Sequence, residues 1–176
     1  MVVWENLVGQ KMNITPFGRV AYWTGSDPMT LEVHEIEADN GLLQPVYVEE
    51  QGGTHIGVEW EHPRQFSSVV VRFHGSQPDP EKVRLQYWVH SWPPEKQGGW
   101  TAIDDPFNGE WVTAHGDVHI QGDTWKFTFD PLDITEIDRA EDFAVFYRQS
   151  YRVRLLFLDD TEPKIAEIAV LSYSVW

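Results

Sequence analysis

Cysteine is absent from the 176 residues. That excludes disulfides and thiolate chemistry and says little about compartment. Positive charge is scarce, with 13 Lys and Arg against 28 Asp and Glu and a formal net charge of −15. Nucleic-acid backbones are held by Lys and Arg, so a chain this acidic repels them, and it repels anionic membrane surfaces too. The same field disfavours strongly sulfated or uronate-rich glycans unless a local Arg patch overrides it. No apolar run approaches the ~20 residues of a membrane span. The opening Met1-Val2-Val3-Trp4-Glu5 has no basic segment followed by an apolar one, so it does not read as a signal peptide. Repeats, low-complexity runs, linkers and the twelve-residue EF-hand pattern are also missing.

What is present is tryptophan, nine residues in all, within a chain that is 41% hydrophobic and 23% charged. A chain of this length is expected to form one domain, residues 1–176, and to bury roughly 70% of its unfolded surface. Apolar runs or period-2 alternation mark strands at Ile56–Trp60, Ser68–Phe73, Val83–Val89, Trp111–Ala114, Val118–Ile120, Thr124–Phe129, Phe143–Tyr147, Tyr151–Leu158 and Lys164–Tyr173. Weaker runs are Val3–Leu7, Gly18–Trp23 and Val46–Glu49. Breakers fall between them, among them Gln51-Gly52-Gly53, His62-Pro63-Arg64 and Asp159–Pro163. Pro28–Ala38 reads as helix or strand, and Ile134–Ala140 as one helical turn. Many short strands with turns at this spacing predict an all-β, antiparallel β-sandwich jelly roll.

Alternation predicts which faces are buried. Val83, Leu85, Tyr87 and Val89 share one side of their strand, with Arg84, Gln86, Trp88 and His90 on the other. Arg152 and Arg154 likewise oppose Val153, Leu155 and Phe157. One face packs and the other is polar, as antiparallel sheets allow. Ser68–Phe73 is apolar on both faces at its centre, which marks an interior strand.

Trp60, Trp88 and Trp125 lie in strand-like runs, whereas Trp92, Trp100 and Trp111 stand beside Pro, Gly and Asn at strand ends. Sugars present apolar C–H faces ringed by hydroxyls, so a binder needs an aromatic platform with planar polar groups at its edge. Trp92 and Trp100 flanking Pro93–Gly99, with His90 at a strand end and Trp23 on an early loop, are the candidate platform. His74, Asn108, Trp111 and Arg148 are the candidate polar edge. The plain alternative is that these aromatics cover the ends of the sandwich.

Other chemistries are less well served. No pair of the seven histidines has zincin spacing; His115 and His119 are four apart in a strand-turn region. A jelly-roll polysaccharide lyase would draw on Tyr87, His90, Arg148, Gln149, Tyr151 and Arg154, provided Tyr87 and Arg154 open onto one cleft. A glycosidase needs two facing carboxylates, whereas Glu59 and Glu61 would sit side by side. A third class is a protein-interaction or spacer domain of a glycan-degrading enzyme, with Trp4 and Ser174-Val175-Trp176 packed against a neighbour.

The order of the pieces resembles the discoidin, or F5/8 type C, family of galactose-binding-like jelly rolls, which includes family 32 carbohydrate-binding modules. The residues that carry the likeness are Glu5–Gln10, His55–Pro63, Phe66–Phe73, Val83–Trp88, Tyr151–Phe157 and Lys164–Val170. The insertion Trp111–Trp125 is longer than a minimal module of that family. The resemblance implies a non-catalytic carbohydrate-binding module reading a neutral or weakly charged glycan. It also implies a structural calcium, with Glu167 matching the family's metal-binding glutamate and Asp39 or Asn40 its loop ligand. The implied partners are a carbohydrate and neighbouring domains of a parent enzyme, with no nucleic acid and no membrane. The implied setting is a larger bacterial protein that is secreted, cell-surface or periplasmic.

Overall fold

The computed structural model describes residues 12–26, 31–90, 109–129 and 148–172. Among these, twelve strands run in chain order: β1 (Met12–Asn13), β2 (Arg19–Thr24), β3 (Glu32–Glu35), β4 (Val46–Val48), β5 (Gly53–Phe66), β6 (Ser68–His74), β7 (Val83–His90), β8 (Gly109–Thr113), β9 (Val118–Gln121), β10 (Thr124–Thr128), β11 (Arg148–Phe157) and β12 (Lys164–Ser172). They form two sheets. One has the order β1-β12-β6-β10-β9, the other β3-β2-β5-β11-β7-β8, and β4 pairs with β5 beside β2. Every pairing is antiparallel. The all-β antiparallel sandwich expected from the spacing of runs and breakers is the observed architecture.

The inner faces of both sheets supply the core. Ile56, Val58 and Trp60 of β5, Val153, Leu155 and Phe157 of β11, and Val83, Leu85 and Tyr87 of β7 meet Val69, Val71 and Phe73 of β6. Trp125 and Phe127 of β10 and Ile165, Ile168 and Val170 of β12 complete it. These positions follow the period-2 alternation, since successive side chains leave a strand on opposite sides, except in β12, where a register shift between Ile165 and Glu167 sets Ile165 and Ile168 three residues apart. β6, apolar on both faces, is interior between β12 and β10, as its composition predicts.

Several local readings change. The Pro28–Ala38 ambiguity resolves to strand at Glu32–Glu35, because its backbone pairs with β2 at Ala21–Thr24. His62-Pro63-Arg64 does not end a strand. β5 runs through it as an irregularity in which Arg64 faces Ser150 and Glu59 faces Arg152, so the extra residues lie opposite Tyr151. Proline is tolerated there because bulged residues make no ladder bond. The Ser150 hydroxyl clamps the partner side, with its one proton shared between the Trp88 and Arg152 carbonyls and its oxygen accepting from the Arg152 N–H. The long insertion is used by both sheets, since β8 joins β7 while β9 and β10 form a hairpin beside β6. Its two-residue turn places Gly122 at φ +63°, where a Cβ would be strained. The readings at Val3–Leu7, Ile134–Ala140 and Phe143–Tyr147 fall outside the described residues.

Candidate functional site

The outer face of the larger sheet is where the sequence reading needs most revision. Alternation leaves Trp23, His55, Glu59, Trp88, Arg152 and Arg154 facing away from the core. A sheet with one wet face would leave these side chains in water, yet each is 5% exposed or less. The polar face is therefore a second buried layer, and burial of charge demands partners.

Glu59 has them. Its Oε2 accepts from Arg152 Nε at 2.6 Å and from Trp23 Nε1 at 3.0 Å, and its Oε1 accepts from Arg19 Nη2 at 2.9 Å. Burial alone would raise its pKa; the Trp23 indole, Arg19 and Arg152 together outweigh that and hold it below the ordinary glutamate value. The Arg152 guanidinium also lies 5.1 Å from the Trp88 ring centroid. Trp23 covers Gly57, the only residue type that leaves room, because a Cβ there would sit 2.8 Å from the indole and against the Val153 carbonyl.

His55 is held neutral by geometry. The Trp23 backbone N–H donates to His55 Nε2 at 3.0 Å, so the ring proton is on Nδ1, facing the Gly53 carbonyl at 3.2 Å. Burial is the main force lowering its pKa to about 4; nearby Arg154 adds to it, and the Gly53 carbonyl opposes both.

Arg154, two residues along the same face as Arg152, is treated differently. Its Nε donates to Gln86 Oε1 at 2.9 Å, its Nη1 to Gln51 Oε1 at 2.9 Å and its Nη2 to the Gln51 carbonyl at 3.3 Å. Every one of these acceptors is neutral. The guanidinium stacks 4.1 Å from the Trp111 ring centroid, and burial pulls its pKa below the usual arginine range. Trp111 is half-buried, with Nε1 donating to Gln51 Oε1 at 3.2 Å and with Trp23 and Trp88 meeting it edge-on.

Above this layer lies a pocket of about 200 Å3. Gln51, Trp88, Trp111 and Arg154 line it with the exposed carboxylates Glu50 and Glu110. Trp88 is 3% exposed, and its indole N–H has no hydrogen-bond partner among the described residues. A wider depression of about 410 Å3 lies beside exposed Tyr47 and Leu158 at the turn between β11 and β12. There Asp159 is already engaged, accepting from the Asp79 and Thr161 backbone N–H groups.

The sequence candidates do not gather into one place. Trp23 is no loop residue; it sits in β2, fully buried, because its indole N–H is drawn to Glu59. Trp111 does line the pocket, but Arg154 occupies one face of its ring, so it is not an open platform. His74 is exposed at the far end of β6 from Ser68, whereas Arg148 pairs with Phe66 at the opposite end of the sandwich. His90 ends β7, paired with Gly109. Trp92, Trp100 and Asn108 lie outside the described residues. Glu167 is exposed on β12 and pairs with Arg72 at 3.5 Å, while Asp39 and Asn40 form an exposed turn closed by Leu42. Among the described residues no three His, Asp or Glu side chains cluster as a metal-binding group.

The lyase arrangement is not assembled either. Tyr87 faces the core and Arg154 the outer face, on opposite sides of one sheet. Glu59, locked by two arginines and an indole, is not a poised catalytic carboxylate beside exposed Glu61. Sequence reasoning passed over Trp88, Gln51, Glu50 and Glu110 as binding residues. The available signal was the placement of Trp88 opposite the core-facing Tyr87, and of Gln51 just before the Gly52-Gly53 break.

Solved structures with a similar chain path include carbohydrate-binding modules. One is the family 32 module of NanJ from Clostridium perfringens, solved with galactose, at 11% identity and TM-score 0.47 over 93% of this chain and 100% of that one. Another is a chitosan-binding module of a chitosanase/glucanase from Paenibacillus sp. IK-5, at 15% identity and TM-score 0.39 over 68% of each chain. A chain of the β-galactosidase BgaA of Streptococcus pneumoniae is also similar, at 15% identity and TM-score 0.42 over 68% of this chain and 70% of that one. No protein-family model matches the chain, and no curated protein matches it in sequence. The architecture described above rests on the strand pairing of this chain itself.

Proposed function

We propose that this chain is a non-catalytic carbohydrate-binding module, a part of a larger glycan-degrading enzyme, and that one sugar residue is taken at the Trp111 pocket. The observation that carries the reading is the pocket's chemistry. Trp88, whose buried indole N–H has no partner among the described residues, lines a small concavity with Trp111, the buried Arg154 guanidinium and two rim carboxylates. A sugar ring offers what such a site needs, hydroxyls that both donate and accept around C–H faces. At about 200 Å3 the pocket is smaller than the ~300 Å3 at which drug-sized ligand sites begin, which suits one monosaccharide unit better than a chain interior.

Trp92 and Trp100 remain the proposed stacking residues for the rest of the ligand, and Glu167 with Asp39 or Asn40 the proposed calcium position. The test is a glycan array followed by tryptophan fluorescence on the hits, with and without EDTA. Trp92→Ala and Trp100→Ala are expected to lose binding while keeping the folded circular-dichroism spectrum. Tyr47→Ala, at the wider depression, is expected to bind normally. Silence across all glycans from a folded protein would turn the reading toward a domain that docks against a neighbour. Loss of binding in EDTA, restored by calcium, would support the ion.

A further inference from the structure

Arg152 and Arg154 form an internal comparison. Both leave β11 on the same face, both are 4% exposed or less, and they are two residues apart. Arg152 has the Glu59 carboxylate at 2.6 Å. Arg154 has none; among the described residues no carboxylate lies within ion-pair distance of it, and its acceptors are the side chains of Gln51 and Gln86 and the Gln51 carbonyl. A buried cation with only neutral partners is costly, because desolvation is not offset by an opposite charge. Beside it in the same pocket, Trp88 carries a second unmet demand of the same kind, a buried N–H donor lacking an acceptor among the described residues. Both deficits call for an acceptor, and the cationic one calls for a charged acceptor.

We infer that the pocket takes the carboxylate of an acidic sugar, such as a uronate, between Arg154 and the Trp88 indole N–H, with the sugar ring against the edge of Trp111. This deepens the carbohydrate reading and rests on it. It narrows the expectation of a neutral or weakly charged glycan to the charged side, through the one exception the composition allowed, a local arginine that overrides the acidic field. Charge-assisted hydrogen bonds are shorter and about twice as strong as neutral ones, and they gain further where water is excluded. Glu50 and Glu110 oppose the ligand charge from the rim, but they are exposed, where interaction with water and salt weakens them. They therefore favour a ligand whose carboxylate goes inward and whose hydroxyls stay at the mouth.

The test uses pairs of ligands in which the carboxylate charge is removed by methyl esterification. Trigalacturonate, glucuronyl and sialyl oligosaccharides are each titrated beside their methyl esters, with acetate as a sugar-free control. Binding is followed by calorimetry and by the indole N–H resonances in a 1H–15N spectrum. At least one acid is expected to bind about tenfold more tightly than its ester, the value of one charge-assisted hydrogen bond over a neutral one, and to move the Trp88 resonance. Trp88→Phe removes the unpaired N–H and keeps an apolar ring; it is expected to fold normally and to lose several-fold in affinity for that acid. Arg154→Gln is expected to abolish the preference for acid over ester, provided its spectrum is that of a folded chain. Glu50→Gln is expected to tighten the acid.

If sugars bind but no acid exceeds its ester, or if an acid binds with the Trp88 resonance unmoved, the inference is overturned and the carbohydrate reading stands. If acetate moves the Trp88 resonance and no sugar binds, the site takes carboxylates from another source, and the sugar assignment is overturned. If no ligand binds the folded chain, the carbohydrate reading falls and takes the inference with it.

Discussion

Glu59 and His55 show how the same burial gives opposite needs to two side chains. Removing the Glu59 charge would leave Arg152 buried without its carboxylate, and breaking a buried pair in this way costs about 3–5 kcal/mol. Glu59→Gln is therefore expected to lower urea stability by about that amount. Arg19→Ala should cost under about 1 kcal/mol, because Arg19 is 47% exposed and solvent screens its half of the network. A reversed ranking in paired urea melts would show that the exposed arginine carries the network. His55 is neutral in the folded chain, with its pKa lowered to about 4 by burial, whereas the unfolded chain binds a proton near 6.5. A depressed folded pKa means that the unfolded state takes up the proton first. This contribution is fully present above about pH 6.5 and is lost as pH falls toward 4, to a total of about 3 kcal/mol. Protonation also sets the new Nε2–H against the Trp23 N–H. His55→Gln is expected to flatten stability against pH in that window. An unchanged slope would mean that other groups carry the acid sensitivity.

At the scale of elements, β5 is the strand around which the site is built. It pairs with β11 along one edge and with β2 and β4 along the other, and it presents Val58 to the core while Gly57 and Glu59 face outward. At Gly57 the Trp23 indole lies on the backbone, and a Cβ would meet both it and the Val153 carbonyl. Gly57→Ala forces that indole or the Val153 carbonyl to move. Overpacking of this kind costs about 1–3 kcal/mol, which for a domain this size lowers Tm by roughly 2–12 °C. The loss is expected to appear in thermal melts together with a changed Trp23 environment in near-UV circular dichroism. A wild-type melt would mean that the ring has somewhere to go. The continuation of β5 through Pro63 carries the same lesson. Proline marks a place where ladder bonding is interrupted, and whether the strand then ends or bulges depends on the partner, here β11, which resumes pairing at Arg64–Phe66.

For the whole molecule, the distribution of charge matters more than its total. The chain carries −15 overall, yet the inner layer of the larger sheet's outer face holds two arginines and one glutamate among its buried groups. Long-range repulsion and short-range attraction therefore act on an acidic ligand with opposite signs and different ranges. Salt screens the former over about 10 Å at 0.1 M and touches the buried contact much less. Acid-glycan binding is thus expected to strengthen, through faster association, between roughly 0.02 and 0.2 M salt. Weakening with salt in stopped-flow traces would mean that the contact itself is solvent-exposed. No helix among the described residues is long and apolar enough to cross a membrane.

The strands and their core-facing residues were legible in the sequence because they depend on local alternation. Val83, Leu85, Tyr87, Val153, Leu155 and Phe157 repeat at period 2, and an apolar side chain has one favourable destination. That Arg152, Arg154 and Trp88 stand opposite them was legible for the same reason. Whether that opposite face meets water was not. Alternation reports that two faces differ and says nothing of what lies over the second, which is decided by residues far away in sequence, such as Gln51 at Arg154, Trp23 at Glu59 and Trp111 between Trp23 and Trp88. Trp23 illustrates the difference most plainly: as a letter beside Thr24 and Gly25 it reads as a loop aromatic, and the Glu59 carboxylate and the His55 ring, brought across from β5, meet it inside. The sequence by itself determined an acidic, cysteine-free antiparallel sandwich and the composition of its core. The tertiary structure alone decided which polar groups were taken from water, which of them found partners, and where, among the described residues, an arginine was left without a carboxylate and an indole N–H without an acceptor.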